Sequence, residues 1–447
     1  MLFRQFVDDD LGCGSYLIGD DVAGVAAVVD PAYAIEPYLE EAERHGVRIV
    51  RVLETHTHAD HVSGHGRLAL EHGIAVSAHP AAEPAYAFDP ILEGEELELG
   101  SVRIRVLHTP GHRPEHCAFA VVDTTRADEP LLLLTGDSLF VGDSARPDLA
   151  IGAVDGARDL RLSLERLLAL PEHVEVYPGH VAGSLCGSGM SSKPSSTIGF
   201  ERRYNHASPL LGNEEAFISH SIGRSSPRPA NMDRIVALNR GPFLGAPPEL
   251  GEVSDAQGAT VLDVRPAREF AAGHAAGALN VPVSEPGFAT KAGFVLDPDE
   301  PVVIDAASAE DAQRAARGLR AVGFSELAGY RVAPPVSGRL TPLELAELER
   351  LVSRGEIDVV DVREPSERGG GYIPNSRNIP YRILRANAAS FRGNGPVATI
   401  CETGARAGVA ASILAAAGVE ARPVLDSGMS AWRARGNPTV EFRRCGS

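Results

Sequence analysis

Thr55-His56-Thr57-His58-Ala59-Asp60-His61 is the stretch on which the reading of the first half of this chain turns. Four imidazole or carboxylate side chains fall within six residues. They come directly after an apolar run, residues 48–53, that reads as a strand. His56 and His58 are two apart and can point to one side. Working outward, Thr109-Pro110-Gly111-His112, Thr135-Gly136-Asp137 and Tyr177-Pro178-Gly179-His180 each follow another strand-like run, at 102–107, 131–134 and 174–177. Runs at 22–29 and 48–53 flank an amphipathic helical pattern at 35–44, and a second such helix is expected at 157–170. Strand ends along one sheet edge are where α/β proteins assemble sites. Imidazole with carboxylate suits zinc or non-heme iron, and no thiolate belongs to this set. A lone histidine is most often a hydrogen-bonded structural residue, and that reading stays open for His58 and for His61 individually. Five histidines and two aspartates at strand ends are not explained that way. His45, His65, His72 and His79 lack this context and read as surface or core.

The His-x-His-x-Asp-His signature with the later His112, Asp137 and His180 resembles the metallo-β-lactamase superfamily over roughly residues 1–240. The resemblance implies an αββα sandwich with a metal site at one edge. Two branches compete. In binuclear zinc hydrolases of the glyoxalase II type, all seven residues bind two metals and Asp137 bridges them. In the persulfide dioxygenase branch one Fe(II) per chain is held by His56, His112 and Asp137. His58, Asp60, His61 and His180 would then orient ligands and move protons, Asp60 in a catalytic capacity. The stretch 136–149, with Arg146 and Asp148, and the stretch 181–200, with Cys186, are similar to that second branch. It implies oxidation of a thiol persulfide by O2 to thiol and sulfite. Arg146 is expected to hold either Asp148 or the substrate, Tyr177 and Cys186 to line the substrate site, and Cys13 to lie near it. For Cys186 an inert thiol is the competing reading. Cys117 reads as core.

The second half contains a repeat. Val261-Leu-Asp-Val-Arg265 returns as Val359-Val-Asp-Val-Arg363, and Asn280 and Asn378 keep the same spacing as Asp263 and Asp361, 98 residues. Two α/β domains with mainly parallel sheets follow from this, at 245–335 and 340–447, with a linker at 334–338. In the second copy, strand 397–400 runs into Cys401-Glu402-Thr403-Gly404-Ala405-Arg406 and then a helix. A thiol in a nest of backbone N–H groups at a helix start is poised as a thiolate or persulfide anion. Gly404 permits the tight curl and Arg406 adds a cation. With Asp361, Arg363 and Asn378, this half resembles the rhodanese family. That resemblance implies sulfur transfer through Cys401, with thiosulfate formed or used. In the first copy, Asp305 is read as standing at the nucleophile's place, so that copy should be inactive.

The chain has 447 residues and a net charge of −18. Hydrophobic residues make up 44% and charged residues 23%, ordinary globular usage that excludes collagen-like, disordered and disulfide-scaffold classes. A net anion disfavours sequence-independent nucleic-acid binding. No stretch approaches the ~20 apolar residues of a membrane helix, and no secretory signal is seen at the start. Five scattered cysteines fit a reducing cytoplasm better than a disulfide framework. Only two of the 42 cations are lysine, a skew best read as coding bias. Residues 191–240 hold seven cations against four anions. They read either as a solvated connector or as a rim that attracts an anionic substrate. The expected partners are a low-molecular-weight thiol persulfide (glutathione, coenzyme A or similar), O2, sulfite or thiosulfate, and further copies of the chain in a homo-oligomer. Nucleic acid and membrane are not expected.

Overall fold

A computed structural model describes all residues except 149, 182–190, 224–226, 394 and 442–447. The chain divides into two compact units, 1–247 with 320–323, and 248–319 with 324–447.

In the first unit, strands β1 (Leu2–Val7), β2 (Gly14–Asp20), β3 (Val25–Val29), β4 (Arg48–Leu53), β5 (Ala75–Ala78) and β6 (Asp89–Pro90) form one sheet in that order. The first three are antiparallel, and β3 to β6 run parallel. A second sheet is built from β7 (Glu96–Leu99), β8 (Val102–His108), β9 (Cys117–Asp123), β10 (Leu132–Gly136), β13 (Glu175–Pro178) and β14 (Ser196–Thr197), in the order β14-β13-β10-β9-β8-β7. Between β10 and β13, β11 (Leu139–Phe140) and β12 (Asp143–Ser144) form a small ribbon.

Side chains alternate across each strand, and both faces of each sheet are apolar. Ile18, Val29 and Leu53 of the first sheet meet Ile104, Phe119, Val121 and Leu134 of the second in one core. Their neighbours in the chain face outward: Leu17, Val28 and Val52 pack on α1 (Glu36–Arg44) and α2 (His65–His72). Ala118, Leu133 and Val176 pack on α3 (Ala153–Leu168), α4 (Ile198–Tyr204) and α5 (Glu214–Gly223). The layers are therefore helix, sheet, sheet, helix. Each such Leu, Val or Phe side chain contributes about 1.5–3 kcal/mol on burial. Cys117 is fully buried in β9, as core.

The segment that reads as a connector instead carries α4, α5 and α6 (Met232–Arg240). Phe217, Met232 and Ile235 are buried there. Two of its cations are engaged within the fold. Arg202 donates to the carbonyls of Leu168 and Leu170 at the end of α3, and Lys193 lies over the Phe200 ring.

In the second unit, β15 (Thr260–Asp263), β16 (Leu279–Asn280), β17 (Val302–Ala306) and β18 (Leu327–Val332) form a parallel sheet ordered β16-β15-β17-β18. Its repeat has β19 (Asp358–Asp361), β20 (Arg377–Asn378), β21 (Val397–Ile400) and β22 (Ala421–Pro423) in the matching order β20-β19-β21-β22. Helices α7 (Ala267–Ala272), α8 (Phe288–Val295) and α9 (Ala309–Ala321) belong to the first copy. Helices α10 (Leu345–Arg354), α11 (Tyr381–Asn387), α12 (Ala405–Ala416) and α13 (Met429–Ala434) belong to the second. The copies touch through the Ser412 hydroxyl, which accepts from the Asn280 N–H, and through Arg385, which donates to Glu300 at 2.6 and 2.9 Å. The 334–338 segment is tied to the first copy, where Gly338 and His274 exchange backbone hydrogen bonds.

Strand register corrects one reading. Asp263 pairs with Asp305, and Asp361 pairs with Ile400. Asp305 thus matches Ile400, and Ala306 matches Cys401. A one-residue slip reverses the face of a strand residue, so Asp305 does not stand where a nucleophile would. It is buried in a bidentate ion pair with Arg331 on β18, at 2.7 and 2.8 Å. The first copy has no thiol at this point either way. Among the described residues, no helix is long and apolar enough to cross a membrane.

Candidate metal centre and Cys401 loop

The Thr55–His61 loop leaves the C-terminal end of β4 and is pinned at both ends. Asp30, just after β3, accepts from the Thr55 N–H and hydroxyl at 2.7 and 2.8 Å. Asn239 of α6 donates to the carbonyls of His58 and His61 and accepts from the Ser63 N–H. His112, Asp137 and His180 arrive from the ends of β8, β10 and β13. The turn into Asp137 needs Gly136, with φ +47°, because a Cβ there would lie 2.7 Å from both His116 Nε2 and Thr55 Oγ1.

The hydrogen bonds fix which ring atoms are free. The Thr55 hydroxyl gives its proton to Asp30, so its oxygen can only accept from His56 Nδ1, 2.8 Å away. The Arg146 carbonyl can only accept, so His112 Nδ1 carries a proton toward it at 2.9 Å. Both rings therefore present a bare Nε2. Asp137 uses Oδ1 on His180 Nδ1 at 2.8 Å, and its Oδ2 is free. The three open atoms lie within 4.8 Å of one another, and His56 Nε2 and Asp137 Oδ2 are buried without a hydrogen-bond partner. Burial lowers the pKa of His56 and of His112 and keeps both in the neutral, ligating form. Burial alone would raise Asp137, but His180 outweighs it and holds this carboxyl below its usual range. These donors fit a divalent cation.

His58 does not join them. Its Nε2 lies 3.3 Å from Asp30 and 3.3 Å from Glu54. Burial opposes its charge, yet the two carboxylates prevail and hold its pKa at about 9. Glu54 also accepts from Ser63 and His65, so His65 is a buried part of this network. Among the remaining residues, Cys13, Asp60 and His61 form another group of ligand-type atoms within 4.8 Å of one another, and His61 Nε2 is buried without a hydrogen-bond partner. His180 spans Asp137 and Asp60, His61 pairs with Asp60 at 3.2 Å, and Cys13 Sγ lies 3.3–3.5 Å from Asp60, His61 and His180. Backbone bonds of Gly12 and Gly14 to residues 179–181 hold Cys13 in place.

Arg146 grips Asp148 at 2.7 and 2.8 Å, and its buried Nη1 has no partner. Arg228 stands 3.8 Å from Asp148. Tyr177 does not contribute as expected. On β13 its ring packs on Phe3 and Tyr16, and its hydroxyl donates to Glu175. Cys186 lies outside the described residues. Sequence reasoning missed Asp30, Glu54, Asn239 and His116. His116 Nε2 accepts the Asp137 N–H, and burial lowers its pKa to about 3, which keeps it an acceptor. Its position four after His112 was the available signal.

In the second unit Cys401 is buried at the end of β21, and the Gly404 N–H donates to its sulfur at 3.1 Å. Gly404 has φ +116°, and a Cβ there would fall 1.2 Å from the Leu425 carbonyl oxygen. Helix α12 follows directly, so its N-terminal dipole faces the thiol. Arg406 donates to both oxygens of Glu367.

Residues 8–180 match the family described as the metallo-beta-lactamase superfamily, and residues 246–331 and 344–435 match the rhodanese-like domain. An uncharacterized protein of Mycobacterium leprae is 31% identical over 233 residues, 46% of this chain and 97% of its own length. A metallo-beta-lactamase crystal structure from Staphylococcus aureus superposes with a TM-score of 0.68 at 29% identity, covering 74% of this chain and 99% of its own. The chain belongs to the metallo-beta-lactamase superfamily. Two rhodanese-like domains follow that fold. Another superfamily relative, the hydroxyacylglutathione hydrolase of Methylococcus capsulatus, is 38% identical over 167 residues, 37% of this chain and 60% of its own length.

Proposed function

We propose that the first unit oxidises a low-molecular-weight thiol persulfide with O2, and that Cys401 carries sulfane sulfur to or from the sulfite produced. The observation that carries this reading is the trio of free donors, His56 Nε2, His112 Nε2 and Asp137 Oδ2, with His58 drawn off by two carboxylates. Two histidines and one carboxylate with open positions are the ligand set of non-heme Fe(II) oxygenases. His56, His112 and Asp137 would hold one Fe(II), which would supply O2 activation. Thiol persulfide, O2 and water then give thiol and sulfurous acid, which is sulfite at neutral pH.

The chain's own residues do the rest. Thr55 and the Arg146 carbonyl aim the two imidazoles. His180, between Asp60 and Asp137, can hold or pass a proton at Nε2. Arg146 Nη1 offers a buried donor to an anionic substrate. In the second unit Cys401 thiolate takes the outer sulfur of a persulfide and releases the thiolate. Sulfite attacks the resulting Cys401 persulfide and leaves as thiosulfate, restoring the thiolate.

Fe(II)-loaded protein should consume O2 on addition of glutathione or coenzyme A persulfide. Iron-replete protein that consumes none would end this reading. The complete set of seven ligand-type residues, and the similarity to a hydroxyacylglutathione hydrolase, favour a second reading: thioester hydrolysis at two zinc ions. Metal analysis of protein purified without added metal separates them, since about two zinc per chain supports hydrolysis and one iron the dioxygenase.

A further inference from the structure

The Cys401 loop is flanked by arginines that each have a carboxylate partner, although Arg433 keeps one buried Nη1 without a hydrogen-bond partner. Arg363 is buried and donates to Asp361 at 3.0 and 2.9 Å, to Glu402 at 2.9 Å and to the Gly371 carbonyl. Arg433 is paired with Glu402. Arg406, inside the loop and in the field of the Cys401 sulfur, places both prongs of its guanidinium on Glu367 at 2.7 Å. Three cations thus face three carboxylates before the thiolate is counted. Glu367 is held firmly, because its Oε2 also accepts the Glu364 N–H in a capping box at the start of the 365–370 turn.

The guanidinium fork is the planar face that binds oxyanions best. Here an internal carboxylate occupies it. Thiosulfate carries two negative charges and three oxygens that need such a face. The persulfide of a small thiol carries one charge, on sulfur, and is served by the backbone N–H groups of the loop. We infer that Glu367 is a specificity-determining residue of the Cys401 site: by holding the fork of Arg406 it disfavours dianionic thiosulfate relative to thiol persulfides, whose reacting end carries a single charge, as sulfur donor. The same competition weakens the hold on thiosulfate as product. The inference rests on the reading that Cys401 carries sulfane sulfur. Loading from either donor balances: Cys401 thiolate plus thiosulfate gives Cys401 persulfide plus sulfite, and Cys401 thiolate plus a thiol persulfide anion gives Cys401 persulfide plus thiolate.

The test uses the full chain and two donors, thiosulfate and the persulfide of 2-mercaptoethanol, with cyanide as acceptor. Glu367→Gln keeps an oxygen for the Glu364 N–H but removes the charge. The preference, kcat/KM for thiosulfate over that for the persulfide, should rise about tenfold. Most of the change should lie in a lower KM for thiosulfate, a split that a merely structural role does not produce. An unchanged or lowered preference overturns the inference, as does an equal change for both donors. If Glu367→Gln does not fold, Glu367→Asp, which pulls the carboxylate off the fork, must shift the preference the same way, and no shift overturns the inference. Mass spectrometry of Cys401 after each donor separates the two levels. If no sulfur is ever gained, the carrier reading itself fails. If sulfur is gained at an unaltered preference, only the role of Glu367 fails.

Discussion

At the residue scale, one shared proton decides what His56 can do. Because Asp30 takes the Thr55 hydroxyl proton, His56 must point a lone pair into the site. Thr55→Val removes the acceptor that fixes this tautomer, and metal affinity should fall about 10–100-fold, measured by competition with a chelator. Asp30 and Glu54 act on His58 in the opposite sense and withdraw a ligand. Glu54→Gln keeps Asp30 on Thr55 but removes one of the two carboxylates that hold His58, and the metal content of protein refilled with zinc should rise from one toward two per chain. A content that stays at one would show that Glu54 does not set the count. The ligand types and their order along the chain were legible in sequence because metal chemistry needs those side chains at strand ends. The withdrawal of His58 was not, since Asp30 lies 28 residues away and meets it only through the parallel pairing of β3 with β4.

Element by element, the strands that lead into the site, β4, β8, β10, β13 and β21, were readable as short apolar runs, and α1 and α3 as amphipathic periods. The helices of the 191–240 segment were not legible because Ser, Pro and Arg dominate it and α5 has no clear apolar stripe. Its helices are held by a few buried anchors such as Phe217 and Ile235, a tertiary effect that local composition does not reveal. The consequence is functional, since Asn239 of α6 bonds the ligand loop. Asn239→Ala leaves two carbonyls and one N–H without their partner and should destabilise the first unit by about 1–3 kcal/mol, read by denaturant melts. In the Cys401 loop, Gly404→Ala must push the loop off Leu425. Sulfur uptake at Cys401 should fall at least about tenfold while the melting transition of the fold persists.

For the molecule as a whole, the proposed pairing of dioxygenase and sulfur transfer in one chain predicts a change of product. Cys401→Ser should leave O2 uptake in place and let sulfite accumulate where thiosulfate formed. Thiosulfate formed at the normal rate would remove Cys401 from the sequence. The duplicated half is tied together by Glu300 and Arg385. Burial raises the Glu300 carboxyl, but Arg385 and Thr260 outweigh it and hold it below the usual range. A depressed acid stabilises the folded unit above its unfolded pKa, about 4.3, and that contribution is lost as pH falls through the lower folded value. Glu300→Gln should therefore cost about 1–3 kcal/mol at pH 7 and flatten the acid dependence of unfolding.

The pairing of Asp263 with Asp305 has an outcome for any attempt to place a thiol in the first repeat. A thiol installed by Ala306→Cys would sit at the right strand end. Three residues on it would meet Ala309 instead of a glycine, and five residues on Asp311 instead of an arginine. Asp311 is moreover engaged with Ser308, which it accepts from and whose hydroxyl takes its N–H. Such a thiol would face an anion in a loop that cannot curl around it, so restoring chemistry there is a problem of at least three positions and not of one atom.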